Sequence, residues 1–289
     1  MIRHTTDGAV RVSVYEGLSA VYAATAKSKT WPSHYSFSGM SQAERVFMET
    51  RLGTRDAARD TIQEPWTEGR KMICEMRDEI LNAADITPPQ NTRRVRRWSD
   101  ADGEVVVDRV MSGDAAYMET RRREWRAGPS AVAIMIPLGG SHIYSNQELL
   151  WKGAAGAALI ELVEEAGYGC EVWGYSNTLD SYRVSPRNSF TAVRVKDAGE
   201  LVDTDALCKL VAPWFFRTVI ISSKGAAGDL TSTFGRPDAE ERVVRPLAAK
   251  HLDIPAGVPQ VYCPLVFTRT DAVRKTKELI ANLNLVRDK

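Results

Sequence analysis

Four of the five residues from 93 to 97 are arginines, Arg93, Arg94, Arg96 and Arg97, and Trp98 follows them. A second group, Arg121, Arg122 and Arg123, precedes Trp125 and Arg126. Guanidinium forks bind phosphate and an interleaved indole offers a face on which a base stacks, a combination suited to single-stranded nucleic acid. Acids in the same stretch oppose that reading. Between residues 93 and 126 nine arginines stand against seven acids (Asp100, Asp102, Glu104, Asp108, Asp114, Glu119, Glu124), a net of only +2. Counted along the chain, the segment is either a nucleic-acid contact or a solvated, salt-bridged surface that serves a protein partner.

A second candidate is the loop that opens with Gly139 and Gly140 and continues through Ser141, His142 and Ser145, joined by Asp180 after the next strand. In an open α/β sheet, ligands sit outside the carboxyl ends of the strands. Two glycines there expose backbone N–H groups, and the start of the following helix adds partial positive charge, so a small anion fits the loop. Ser141, His142 and Asp180 are also the residue types of a nucleophile, a base and an orienting acid, which defines a hydrolase reading. Such a set is recognised by geometry, and adjacency of Ser141 and His142 in the chain does not supply it.

Other chemistry finds less support. No G-x-x-x-x-G-K-[ST], G-x-S-x-G or H-E-x-x-H occurs, and His4, His34 and His251 stand singly. The polar loop Ser222-Ser223-Lys224-Gly225 can touch phosphate but is weak evidence alone. Cys74, Cys170, Cys208 and Cys263 show no C-x-x-C pair, so neither a disulfide framework nor a zinc site is expected. Cys170 and Cys263 lie in apolar, strand-like runs and read as small buried hydrophobes. No catalytic residue, metal ligand or cofactor is therefore assigned.

These residues must be positioned by elements legible in the pattern. Ser41 caps a helix over 42–52, and a second helix over 68–84 ends before Thr87-Pro88-Pro89, with Trp66 anchoring its entry. The arginines 93–97 form a connector, followed by a short strand over 104–107. From residue 131 strands and helices alternate. The continuous apolar run 131–136 is a strand buried on both faces, a helix spans 147–166 and a strand 170–175, together a βαβ unit. Small residues at 153–158 let that helix approach the sheet closely. A strand over 190–195, a helix over 204–210, an apolar stretch 214–221, a strand over 261–267 and a helix over 272–283 complete the chain. This is the pattern of an open, mostly parallel α/β sheet with helices on both faces. It divides the chain into a mainly helical region, 1–126, and an α/β domain, 127–289.

Composition narrows the partners. The 289 residues are 44% hydrophobic and 26% charged, with 38 basic against 37 acidic residues and a net charge of +1, so no global field draws the protein to nucleic acid or anionic lipid. The start, Met1-Ile2-Arg3-His4-Thr5-Thr6-Asp7, has no apolar signal core, and no run approaches the roughly 18–20 apolar residues of a membrane span. A cytoplasmic protein without a membrane partner is expected.

The segment 131–176 resembles the opening of a von Willebrand factor A-like domain, in which a buried strand feeds a metal loop, a long helix and a strand. Val105 to Asp108 with Met111-Ser112-Gly113, and Lys152-Gly153-Ala154-Ala155 with Glu164-Glu165-Ala166-Gly167 and Glu171-Val172-Trp173, are similar to an uncharacterised family found largely in bacteriophages, over residues 40–285. The A-domain loop begins with an aspartate and two alternate serines, because a hard cation needs carboxylate and other oxygen ligands. Here Ile136-Pro137-Leu138-Gly139-Gly140-Ser141-His142 contains no acid. The resemblance thus implies an A-like fold with a degenerate metal loop and a phage context. It leads to a non-catalytic accessory protein that binds nucleic acid, single-stranded in preference, or a nucleic-acid-processing complex through the arginines, in the host cytoplasm. The alternatives are a structural virion component or assembly adaptor, and a hydrolase built on the 139–145 loop.

Overall fold

A computed structural model describes residues 2–27, 65–84, 92–99, 104–105, 107–113, 118–125, 131–139, 146–179, 188–200, 203–212, 215–220, 236–238 and 241–283. Strands β1 (Ile2–Asp7) and β2 (Val10–Tyr15) form a hairpin whose turn uses Gly8 at a φ of 59°, a conformation glycine adopts without a Cβ penalty. Helices α1 (Leu18–Lys27) and α2 (Thr67–Ala84) follow, then β3 (Thr92–Ser99), β4 (Glu104–Val105), the short α3 (Val107–Met111) and β5 (Met118–Trp125). The later half contains β6 (Ala131–Pro137), α4 (Asn146–Glu165), β7 (Gly169–Leu179), β8 (Asn188–Lys196), α5 (Thr204–Val211) and a π-helical turn, Phe215–Ile220. It closes with β9 (Arg236–Asp238), α6 (Glu241–His251), β10 (Gln260–Tyr262) and α7 (Arg269–Asn282).

The main sheet runs β1-β2-β8-β7-β6-β10, with β9 paired to β7. Along that path β2–β8, β7–β6 and β6–β10 are parallel, while β1–β2 and β8–β7 are antiparallel. Helices cover both faces. One face buries Val132, Ile134, Ile136 and Val172 against α2, α4, α5 and α7, and Tyr15 and Val193 against α1. The other buries Met135, Trp173, Tyr175 and Phe190 against Val244 and Ala248 of α6. Burial on both faces explains the unbroken apolar run of β6, since neither side of that strand meets water.

The α/β architecture is as the pattern predicts, and the differences have physical causes. Residues 93–97 are not a connector but part of β3, because a segment of arginines has no apolar face to reveal its period of two. Residues 2–15, read without elements, add two strands to the same sheet as the later half. The strand at 104–107 stops at Val105, and Val107 opens α3. The strand at 261–267 ends at Tyr262: Cys263 still donates its N–H to the Met135 carbonyl at 2.8 Å, but Pro264 has no N–H with which to continue. The helix expected at 42–52 lies outside the described residues.

The small residues of α4 serve two neighbours rather than one. A Cβ at Gly156 would stand 2.8 Å from Ile136 Cδ1 on the sheet, whereas one at Gly153 would stand 2.3 Å from Val211 Cγ2 on α5. Helix propensity alone makes Gly153→Ala stabilising by about 1 kcal/mol. Overlap in a packed core costs about 1–3 kcal/mol, so the expected result is a net loss, read as a lower urea midpoint.

Candidate functional site

β3 and β5 form a second, smaller sheet with β4, in the order β3-β5-β4. Eight residue pairs join β3 to β5, from Thr92 opposite Trp125 to Ser99 opposite Met118, a ribbon about 25 Å long at the usual strand rise. Directly opposed residues in an antiparallel pair share a face, and alternate residues along each strand do so too. One face therefore contains the opposed pairs Arg94 with Arg123 and Arg96 with Arg121, between Trp125 at one end and Trp98 at the other. Arg93, Arg97 and Arg122 occupy the opposite face.

The fold also sorts the charges that a linear count mixes. Residues 92–97 and 120–125, six of the eight pairs of the ribbon, hold seven arginines against Glu124, a net of +6. Residues 98–119 hold six acids against Arg109, a net of −5 along the sequence, and of these acids Glu104 and Glu119 stand at the far end of the ribbon. There Glu104 opposes Glu119 in the β4–β5 pairing. Val105, Val107, Val110 and Met111 of this far end are exposed, Met111 to 81%.

The second candidate lies where β6 ends. Leu138 donates its N–H to the Tyr175 carbonyl at 2.7 Å, and the ammonium of Lys152, 1% exposed, donates to the carbonyls of Leu138 at 2.7 Å and Gly139 at 3.0 Å. Lys152 thus fixes the exit of β6 to α4. Sequence reading quoted Lys152 as part of a motif without giving it this role, although a lysine within an otherwise apolar helix was the available signal. Gly140, Ser141, His142, Ser145 and Asp180 lie outside the described residues, so only Gly139 of the anion-loop residues has a place in the structure.

A polar line crosses the sheet near this point. His4, Ser13, Thr191 and Ser176 stand opposite one another in successive strands β1, β2, β8 and β7. His4 Nδ1 and Ser13 Oγ are 2.9 Å apart, whereas the buried hydroxyls of Ser176 and Thr191 and the side-chain amide of Asn177 have no hydrogen-bond partner among the described residues. Among the described residues Ser176 has no base within hydrogen-bond reach. Burial pushes the thiols of Cys170, Cys208 and Cys263 up to about 12, far from the thiolate that reacts.

Among the described residues no three His, Cys, Asp or Glu side chains gather where a metal ion would be held, and no helix is long and apolar enough to cross a membrane. No curated protein and no solved structure matches the chain. A family model described as a domain of unknown function, DUF7192, matches residues 3–286, nearly the whole chain, and the protein belongs to that family.

Proposed function

We propose that this protein binds nucleic acid without catalysing a reaction, through the Arg94, Arg96, Arg121 and Arg123 face of the β3–β5 ribbon. The observation that carries this reading is the register, which sets these arginines directly opposite one another between two tryptophans. Like charges in directly opposed positions destabilise a sheet by roughly 0.2–1 kcal/mol per pair, so the arrangement is unfavourable for a free ribbon and favourable against a polyanion. A ribbon face with arginine positions at its centre and tryptophan positions at its ends suits an extended single strand, phosphates at the centre and bases stacked at the ends. The run of β6, α4 and β7 supports an A-like reading of the main sheet. The resemblance to a phage family supports a role for this contact in a phage nucleic-acid or assembly process within the host cytoplasm.

Fluorescence anisotropy with labelled single-stranded DNA, duplex DNA and RNA at several salt concentrations tests the reading. Single strands are expected to bind more tightly than duplex, with an affinity falling by a log–log slope of about 0.7 per phosphate contacted. Flat titrations with all three ligands would overturn it.

A second reading, a virion component or assembly adaptor, is favoured by the far end of the ribbon, where Val105, Val107, Val110 and Met111 are exposed. Exposed apolar groups in a cluster are what a protein contact buries.

A further inference from the structure

We propose that the ribbon reads one base of the strand it binds, and that this base is guanine, selected by Glu119 beside Trp98. The inference rests on the nucleic-acid reading above and names the ligand more closely. Glu119 stands directly opposite Trp98, and the next rung on the same face sets Arg96 opposite Arg121. On its other side Glu119 opposes Glu104, a second acid rather than a cation. A carboxylate on a face that takes a polyanion weakens phosphate binding, and that cost is offset only where the carboxylate meets hydrogen-bond donors.

The strand carries such donors on the edges of its bases. The Trp98–Glu119 and Arg96–Arg121 rungs are two residues, about 7 Å, apart along the ribbon. One nucleotide bridges that separation, its phosphate at the arginines and its base at the tryptophan. Directly opposed positions have Cβ atoms about 5 Å apart, so the edge of a base stacked at Trp98 comes within reach of Glu119. An ionised carboxylate accepts hydrogen bonds and donates none. Guanine presents two adjacent donors on its Watson–Crick edge, N1–H and the N2 amino group, which match the two oxygens of one carboxylate. Adenine and cytosine each set an amino donor beside a ring nitrogen that accepts, and thymine and uracil flank a single N3–H with two carbonyls. Every base but guanine therefore turns a lone pair toward the carboxylate.

Fluorescence anisotropy of the full chain tests the proposal with labelled DNA strands of about eight nucleotides, a length within the usual range of single-strand sites. One strand is all thymine, and the others replace a central thymine with guanine, inosine or adenine. The guanine strand is expected to bind roughly 5- to 150-fold more tightly than the thymine and adenine strands, the range for one bidentate contact. Inosine, which lacks only the N2 amino group, is expected between them. Glu119→Gln is expected to shift affinities in opposite directions. The guanine strand binds more weakly, because an amide has one acceptor oxygen. The thymine strand binds as tightly as before or more tightly, because a negative charge has left the face, and this also shows that the variant is folded. A structural role for Glu119 moves all the strands in one direction. Equal wild-type affinity for all the strands, a guanine preference that survives in Glu119→Gln, or a loss shared by every strand in that variant would each overturn the inference and leave the nucleic-acid reading standing. A wild-type chain that binds none of the strands overturns that reading, and this inference falls with it.

Discussion

Replacing Arg94, Arg96, Arg121 and Arg123 together with alanine is expected to remove specific single-strand binding, while replacing Arg93, Arg97 and Arg122 leaves most of it intact. The two sets are neighbours in sequence and nearly equal in charge, but the strand register assigns them to opposite faces of the ribbon. If binding follows overall charge, the two variants lose affinity in proportion, four parts to three. If it follows the face, the first loses about four phosphate contacts and the second none. For single strands that is a fall of roughly 3 in the log–log salt slope against a fall near zero. Trp98→Ala separates stacking from charge: it is expected to weaken binding by about 1–3 kcal/mol with the salt slope unchanged. Anisotropy titrations over a salt series measure both quantities, and equal losses in the two arginine variants would sink the face-specific reading.

The reason this contrast was invisible in the sequence is topological. Arg94 and Arg123 are far apart along the chain, and only the hairpin arrangement of β3 and β5 brings them opposite one another. The same arrangement gathers Arg93 to Arg97 and Arg121 to Arg123 on successive rungs, a concentration that a net charge of +2 over residues 93–126 conceals. What was legible was the apolar periodicity. β6 announced itself by a run with no polar residue, because it is buried on both faces, and α4 and β7 followed from helix length and the stop at Gly167. β2 carried a usable signal too, Val10, Val12 and Val14 alternating with Arg11 and Ser13, but β1 had none: Arg3, His4, Thr5 and Thr6 give no apolar face. Its place in the sheet is decided by pairing with β2, a tertiary effect that local pattern does not contain.

Lys152 shows the same limit at the other candidate site, and its substitution is expected to have the largest effect on stability. An ammonium 1% exposed is costly to desolvate, which argues that Lys152→Met should be neutral or stabilising, as replacing a buried charge by an apolar group of similar volume often is. That outcome requires its partners to be removed as well, and two of them here are backbone carbonyls that no side-chain substitution can delete. Methionine leaves the Leu138 and Gly139 oxygens without the donor that stands 2.7 Å and 3.0 Å away. A buried acceptor left without its partner costs about 1–3 kcal/mol, and two of them outweigh the relief of desolvation, so a net loss of about 2–4 kcal/mol is expected in urea unfolding. The damage should be local in the native state, with faster amide hydrogen exchange at Leu138, whose N–H bonds to Tyr175, and little change in the β1–β2 hairpin. An unchanged urea midpoint would mean that the charge is as costly to bury as its two bonds are favourable, and that the exit of β6 is held by the sheet alone.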